Sequence, residues 1–236
     1  MKILIIIPAY NEAENIERVI ETLKKEFPEA EYLVVNDCSA DQTAEICREH
    51  HFTYLDLPIN LGIGGGVQAG YLYAVKNHYD IAVQMDGDGQ HDPAYLPALL
   101  QPIVDGEADI VIGSRFIEKK GFQTTGLRRF GIRFLKVVIR VCCGFVCTDA
   151  TSGFRAASYR ASEFFSNNYA QDFPEPEAIV SAVLNRLRVR EVPVIMNERQ
   201  GGVSSINGIR SAYYMIKVSL SLIICRLIYG RKRRVP

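Results

Sequence analysis

The chain begins with an apolar run, residues 3–7, that Pro8 closes at once. Its Ile and Leu side chains do not alternate with polar ones, so the segment is expected to be buried on both faces. That is the environment of a central strand in a parallel sheet. Such a strand needs helices above and below it. Residues 12–26 answer this need, since Ile16, Val19, Ile20, Leu23 and Phe27 recur at helical spacing. The same pattern predicts strands at 32–35, 52–57, 81–85 and 110–113. Helices at 41–50, 66–77 and 93–105 fall between them. The expected fold class is therefore α/β, with a mostly parallel sheet covered by helices on both faces. A length of 236 residues, 48% of them apolar, suits one domain with a short appendage.

The character of the chain changes after residue 118. Residues 1–118 carry 20 Asp and Glu against 7 Lys and Arg, and residues 119–236 carry 7 against 20, so the two halves are −13 and +13. A split of this kind points the second half toward something anionic. Residues 149–155 and 189–196 read as extended, and 176–187 as helical. In the stretch 126–146, Arg129, Arg133, Lys136 and Arg140 fall on one helical stripe, with apolar residues around them. A basic amphipathic helix with a wide apolar face suits a membrane interface. The tail, 207–229, is a long apolar helix ending in Arg231-Lys232-Arg233-Arg234. It approaches the length of a span, about 20 residues, but Lys217 and Arg226 make crossing costly. It is expected to lie in the interface, or to pack on a small membrane protein or a second copy of the chain. The apolar content around the basic residues favours lipid over nucleic acid. The expected division is a catalytic domain at 1–205 and a membrane-associating tail at 206–236.

Six cysteines, Cys38, Cys47, Cys142, Cys143, Cys147 and Cys225, form no CxxC pair and have no His at zinc-finger spacing. They are expected to be reduced thiols in the cytosol. The opening apolar run is too short for a signal peptide. It follows that the expected location is the cytoplasmic face of the cell membrane.

The strongest chemical signal is Gln84-Met85-Asp86-Gly87-Asp88-Gly89-Gln90, directly after the fourth strand. This is a carboxyl end of the sheet, the edge where open α/β folds bind ligands. Two carboxylates on one turn can share a cation. Mg²⁺ or Mn²⁺ takes one or two carboxylates and completes its shell with phosphate oxygens and water. The segment Asn60-Leu61-Gly62-Ile63-Gly64-Gly65-Gly66 lacks a P-loop ending. It reads equally as a close approach to a ligand or as a structural turn.

Taken as an ordered set, Pro8-Ala9-Tyr10-Asn11-Glu12, Asn36-Asp37-Cys38-Ser39-Ala40-Asp41-Gln42-Thr43 and Met85-Asp86-Gly87-Asp88-Gly89-Gln90-His91 resemble the family 2 glycosyltransferases. Within these the chain is similar to the dolichol-phosphate mannose synthase-like branch, which acts on polyprenyl phosphates. The resemblance runs from residue 3 to about 205. It implies the GT-A, Rossmann-like fold, a nucleotide-diphosphate sugar donor and a divalent cation. It implies that Pro8, Tyr10, Glu12 and Asp37 hold the nucleoside, and that Asp86, Gly87, Asp88 and Gln90 hold the diphosphate and metal. Asn36 and Cys38 stand where the family pattern has Asp and Gly. Gly113-Ser114-Arg115, Asp149-Ala150-Thr151-Ser152-Gly153-Phe154 and Arg199-Gln200-Gly201-Gly202-Val203-Ser204 also match branch segments. These would give Arg115, Arg128 and Ser152 to the acceptor phosphate and Arg199 to the donor diphosphate. Asp86, Asp88 and Arg115 would then be the catalytic residues. Ile132 and Ser205 replace a Ser and a Lys of the pattern.

The implied reaction is inverting transfer of a hexosyl or N-acetylhexosaminyl group, from a uridine diphosphate sugar, to a polyprenyl phosphate. Two other readings remain open. In one the acceptor is a glycan hydroxyl, with Asp172, Glu175 or Glu177 as general base. In the other the chain is a non-catalytic nucleotide-binding subunit at the membrane.

Overall fold

A computed structural model describes residues 1–118, 126–197 and 208–232, with side chains at 1–118, 131–197 and 215–230. Seven strands form one sheet in the order β3-β2-β1-β4-β6-β5-β7. The strands are β1 (Ile3–Ala9), β2 (Glu31–Asn36), β3 (Tyr54–Asp56), β4 (Ile81–Gln84), β5 (Ile110–Ser114), β6 (Arg155–Ser158) and β7 (Val189–Pro193). The helices are α1 (Ile16–Glu26), α2 (Thr43–Glu49), α3 (Gly62–Lys76), α4 (Leu96–Val104), α5 (Gly126–Cys143), α6 (Tyr159–Asn167), α7 (Pro174–Leu184) and α8 (Gly208–Lys232).

The sheet divides the core in two. Every residue of β1 is buried, as the opening apolar run requires. Leu4 and Ile6 face a layer that includes α3, α5, α6, α7 and α8. Ile3, Ile5 and Ile7 face the layer of α1, α2 and α4. This is the two-residue alternation of a strand with both sides covered.

β6 departs from the parallel scheme. It runs antiparallel to both of its neighbours, β4 and β5. The expected extended segment at 149–155 is instead a loop, and the strand begins only at Arg155. Ala156 and Ala157, both fully buried, let the strand fit between the two layers. Because β6 starts where β4 and β5 end, the loop before it arrives at the same edge as Asp86 and Arg115. Register fixes this: Gln84 and Ile112 both pair with Arg155. On the other side Ala9 pairs with Asn36, so Tyr10 and Asp37 emerge at that edge too.

The glycine-rich segment is helical from Gly62 and serves packing. A Cβ on Gly64 would lie 2.1 Å from the Ala170 carbonyl oxygen. The loop before α7 can therefore approach only a bare backbone. Gly64→Ala would gain about 1 kcal/mol from helix propensity alone. The clash with backbone reverses the sign, and urea denaturation should show a net loss of about 1–3 kcal/mol.

Candidate active site

The first wall of the site is built by two interlaced loops. Asn11 N–H donates to Ser39 Oγ (3.0 Å), Ala40 N–H to Asn11 Oδ1 (2.8 Å) and Glu12 N–H to Thr43 Oγ1 (2.9 Å). Pro8 is buried at the end of β1, Glu12 is half-buried and Tyr10 is exposed. Asp37 is buried, and its Oδ1 accepts from Leu61 N–H at 2.6 Å, so it also fixes the start of α3. Of the two departures from the family pattern, the first has a local cause and the second carries backbone strain. Asn36 donates its amide to Asp56 Oδ1 at 2.6 Å, where an Asp would meet a second carboxylate. Cys38 sits at φ 56, in the left-handed region that Gly adopts without strain.

The second wall is the turn after β4. Asp86 is about one-third exposed, and Asp88 is buried with Oδ1 accepting from Gln90 N–H at 3.0 Å. A Cβ on Gly87 would lie 3.2 Å from Pro8 O, so the turn rests against the first wall. Among the described residues no three His, Cys, Asp or Glu side chains converge to hold a metal. Two carboxylates alone fit a cation that draws its other ligands from diphosphate and water. The chemistry of the pair therefore fits Mg²⁺ or Mn²⁺ bound together with a nucleotide.

The third wall is the loop from Asp149 to Phe154. A Cβ on Gly153 would lie 2.9 Å from Asp86 Oδ2, so this loop packs directly on the metal turn. Arg115 stands at the end of β5 as expected, but its guanidinium forks onto Asp149. Nε donates to Oδ2 at 2.7 Å, and Nη2 to Oδ1 at 2.8 Å and to Thr151 Oγ1 at 3.0 Å. These bonds tie its guanidinium to the loop. Ser152 is likewise buried, and its Oγ accepts from Phe154 N–H at 3.3 Å. Arg128 lies on α5 with its side chain outside the described set, and Arg199 lies outside the described residues.

Residues that the sequence did not single out complete the floor. Glu191 accepts from Thr148 N–H at 2.7 Å and Asp149 N–H at 2.8 Å. Buried Arg155 donates Nε to Ser152 O at 2.6 Å and Nη1 to Glu175 O at 2.8 Å, and its Nη2 has no hydrogen-bond partner among the described residues. Tyr169 OH donates to Gln84 Oε1 at 3.3 Å. Burial lifts the Glu175 carboxyl above its ordinary value; Arg155 opposes the lift and Asp86 adds to it. The usable signal was a polar residue inside an apolar strand, Gln84, since buried polar groups are the informative exceptions. Of the three acids considered as a base, Asp172 pairs with Lys217 at 3.0 Å and Glu177 accepts from Ser221 Oγ. Both partners lie on α8, which leaves Glu175 as the one electrostatically coupled to Asp86 and Arg155.

Burial pushes the Asp149 carboxyl up, but the Arg115 fork and the backbone N–H groups outweigh it and hold it below its ordinary value. A depressed carboxylate stabilises the fold above its unfolded pKa, about 3.9. That contribution is lost as the pH falls through the lower, folded value. Asp149→Asn replaces the buried carboxylate onto which Arg115 forks and should cost about 3–5 kcal/mol at pH 7. Denaturation curves between pH 7 and 3 should show a weaker acid dependence in the variant than in the parent chain.

A family model described as Glycosyl transferase family 2 matches residues 4–164. An undecaprenyl-phosphate mannosyltransferase of Micrococcus luteus is 32% identical over 220 residues, covering 88% of this chain and 88% of its own. A UDP-N-acetylglucosamine–dolichyl-phosphate N-acetylglucosaminyltransferase of Methanococcus voltae is 31% identical over 212 residues, covering 81% of this chain and 84% of its own. Among solved structures, glucosyl-3-phosphoglycerate synthase of Mycobacterium tuberculosis aligns with a TM-score of 0.69 at 20% identity, over 95% of this chain and 79% of that one. The likeness extends to the GT-A-like sheet and its helices. Three walls that meet at Asp86, on that sheet, thus agree with the family match, and the chain belongs to glycosyl transferase family 2, as an enzyme that transfers sugars.

Proposed function

We propose that the enzyme transfers a sugar from a UDP-sugar to a polyprenyl phosphate at the cytoplasmic face of a membrane, with inversion at the anomeric carbon. The observation that carries this reading is the packing of the Asp149–Phe154 loop on Asp86, which brings an acceptor loop against the donor turn. The two relatives named above have undecaprenyl phosphate and dolichyl phosphate in their names. The second is named for a UDP-sugar, and the Mycobacterium tuberculosis synthase has been solved with Mn²⁺ and UDP. Six free thiols suit a reducing compartment.

In this reading Pro8, Tyr10, Glu12 and Asp37 line the nucleoside. Asp86, Gly87, Asp88, Gln90 and Arg199 line the diphosphate. Asp86 and Asp88 would hold the cation, which when bound neutralises charge on the leaving diphosphate. An acceptor phosphate oxygen attacks the anomeric carbon as the bond from that carbon to the donor phosphate breaks. A phosphate monoester has its second pKa near 6 and already carries the attacking charge, so the protein need only position it. Arg128 is the proposed contact to that phosphate, while Arg115 and Ser152 shape the loop beside it.

The membrane seat is supported by exposed apolar residues on two adjacent helices. Phe134, Val137 and Val141 on α5 and Leu220, Ile223, Ile224, Leu227 and Ile228 on α8 are all exposed. Arg133 and Arg140 flank them on α5. No helix among the described residues is long and apolar enough to cross a membrane, so the seat would be peripheral. Ile223→Glu combined with Leu227→Glu should remove sedimentation with anionic vesicles and leave transfer to a short-chain, water-soluble polyprenyl phosphate intact.

A glycan hydroxyl acceptor is the second reading, favoured by Glu175, a coupled carboxyl with a raised pKa near Asp86. Glu175→Gln separates the two. A phosphate acceptor should keep turnover within about tenfold, whereas loss of a general base costs about 10²–10⁴. Labelled UDP-sugars with Mn²⁺ and undecaprenyl phosphate should put label into the lipid-phosphate fraction. Asp86→Ala and Asp88→Ala should abolish it. Label found only in a soluble glycan would overturn the acceptor assignment.

A further inference from the structure

We propose that His91 is a positioning residue that ties the metal turn to the acceptor loop, an inference resting on the donor and acceptor sites proposed above. The His91 side chain is 3% exposed, so it touches neither substrate and acts through its neighbours. One edge of the ring serves the donor side. Asp86 N–H donates to His91 Nδ1 at 2.9 Å. With Nδ1 accepting, the neutral ring carries its proton on Nε2, and Nε2 lies 3.7 Å from Asp86 Oδ2. A single imidazole thus reaches both the backbone and the carboxylate of Asp86.

The face of the ring serves the acceptor side. It stacks on Phe154 with centroids 4.8 Å apart and planes 9° from parallel. Phe154 follows Gly153, whose missing Cβ is what lets the loop sit on Asp86. His91 also bridges to Met196, and Asn197 N–H donates to Gln90 O at 2.9 Å. Three segments distant in sequence therefore meet at His91, the Asp86 turn and Phe154 through its ring and Met196 through its backbone. A structural aromatic would need only the stack, and a loop clasp would need only Nδ1. His91 supplies both at once, from different parts of the same side chain.

The two contacts can be removed separately. His91→Asn puts an amide oxygen near the Nδ1 position and deletes the ring. His91→Phe keeps a ring for Phe154 and leaves Asp86 N–H without its acceptor. Hydrogen–deuterium exchange on the metal-free protein should show Asp86 N–H protected in the parent and His91→Asn, and exposed in His91→Phe. Calorimetry with UDP and Mn²⁺ should show affinity falling about tenfold in His91→Phe, since a buried donor is left unpaired. His91→Asn should stay within about twofold of the parent in that measurement and instead raise the KM for undecaprenyl phosphate about tenfold. Phe154→Leu, which breaks the stack from the other side, should reproduce the His91→Asn pattern with melting temperature followed in parallel. Equal effects of His91→Asn and His91→Phe on both constants, or no effect on either, would overturn the proposal. A parent that binds Mn²⁺ and UDP but does not use the lipid phosphate would sink the acceptor assignment alone; the exchange and calorimetry arms would still judge the Nδ1 contact. A parent with no Mn²⁺-dependent UDP binding would overturn both.

Discussion

The fork between Arg115 and Asp149 is the contact on which the rest of the site depends. Asp149 is fully buried, and a carboxylate there is tolerable only with its charge and lone pairs matched. Arg115 supplies the charge from the end of β5, and Thr151 N–H donates to the same carboxylate at 3.3 Å. Glu191, on β7, then gathers the amides of Thr148 and Asp149. The turn before β6 is therefore held from the end of β5 and from β7, the strand beyond it. With that turn fixed, Gly153 is set against Asp86 and the ring of Phe154 against His91. Loss of the fork would release not one residue but the wall shared by the Asp86 turn and the loop from Asp149 to Phe154.

Much of the layering was legible because it rests on periodicity. The five strands of the first half and their helices follow from apolar spacing alone, and β1 is the central strand that its composition demanded. What escaped is short or tertiary in origin. β6 is Arg-Ala-Ala-Ser, four residues without an alternating pattern, opened by an Arg that reads as a loop residue. Its antiparallel course comes from the chain's return between β4 and β5, which no local propensity encodes. The glycine-rich segment offered two readings, and it is the backbone of Ala170 and Gln171 against Gly64 that shows a packing role there.

The site residues divide in the same way. Asp86, Asp88, Asp37 and Pro8 stand at the sheet edge that strand order assigns them. Arg115 and Ser152 reach the correct edge but turn inward, because a sequence match fixes position along the chain and not what else competes for the side chain. The three acids near α7 could have been sorted further. Glu175 and Glu177 are two positions apart, about 200° around a helix, so they could never serve one site together. The structure assigns Glu177 to Ser221 on α8 and leaves Glu175 coupled to Arg155 and Asp86.

The same competition explains why α8 is more apolar on its outer side than its composition suggests. Lys217 and Arg226 were the two charges that weighed against a membrane span. Lys217 is drawn onto Asp172, and Arg226 donates to the carbonyls of Val141 and Cys142 at the end of α5. A cation is favoured there by the partial negative charge of a helix C-terminus. Ser221 is turned to Glu177, and Ser219 bonds to Met215 O at 2.7 Å within its own helix. Val218, Leu222 and Cys225 fill the seam against α5 and α7. The residues left facing outward are largely Ile and Leu. On α5, too, the apolar positions split into a buried row, Ile132, Leu135, Ile139 and Cys142, and an exposed one beside the basic stripe. Intramolecular pairing of the polar groups thus creates the surface on which the proposed membrane seat depends.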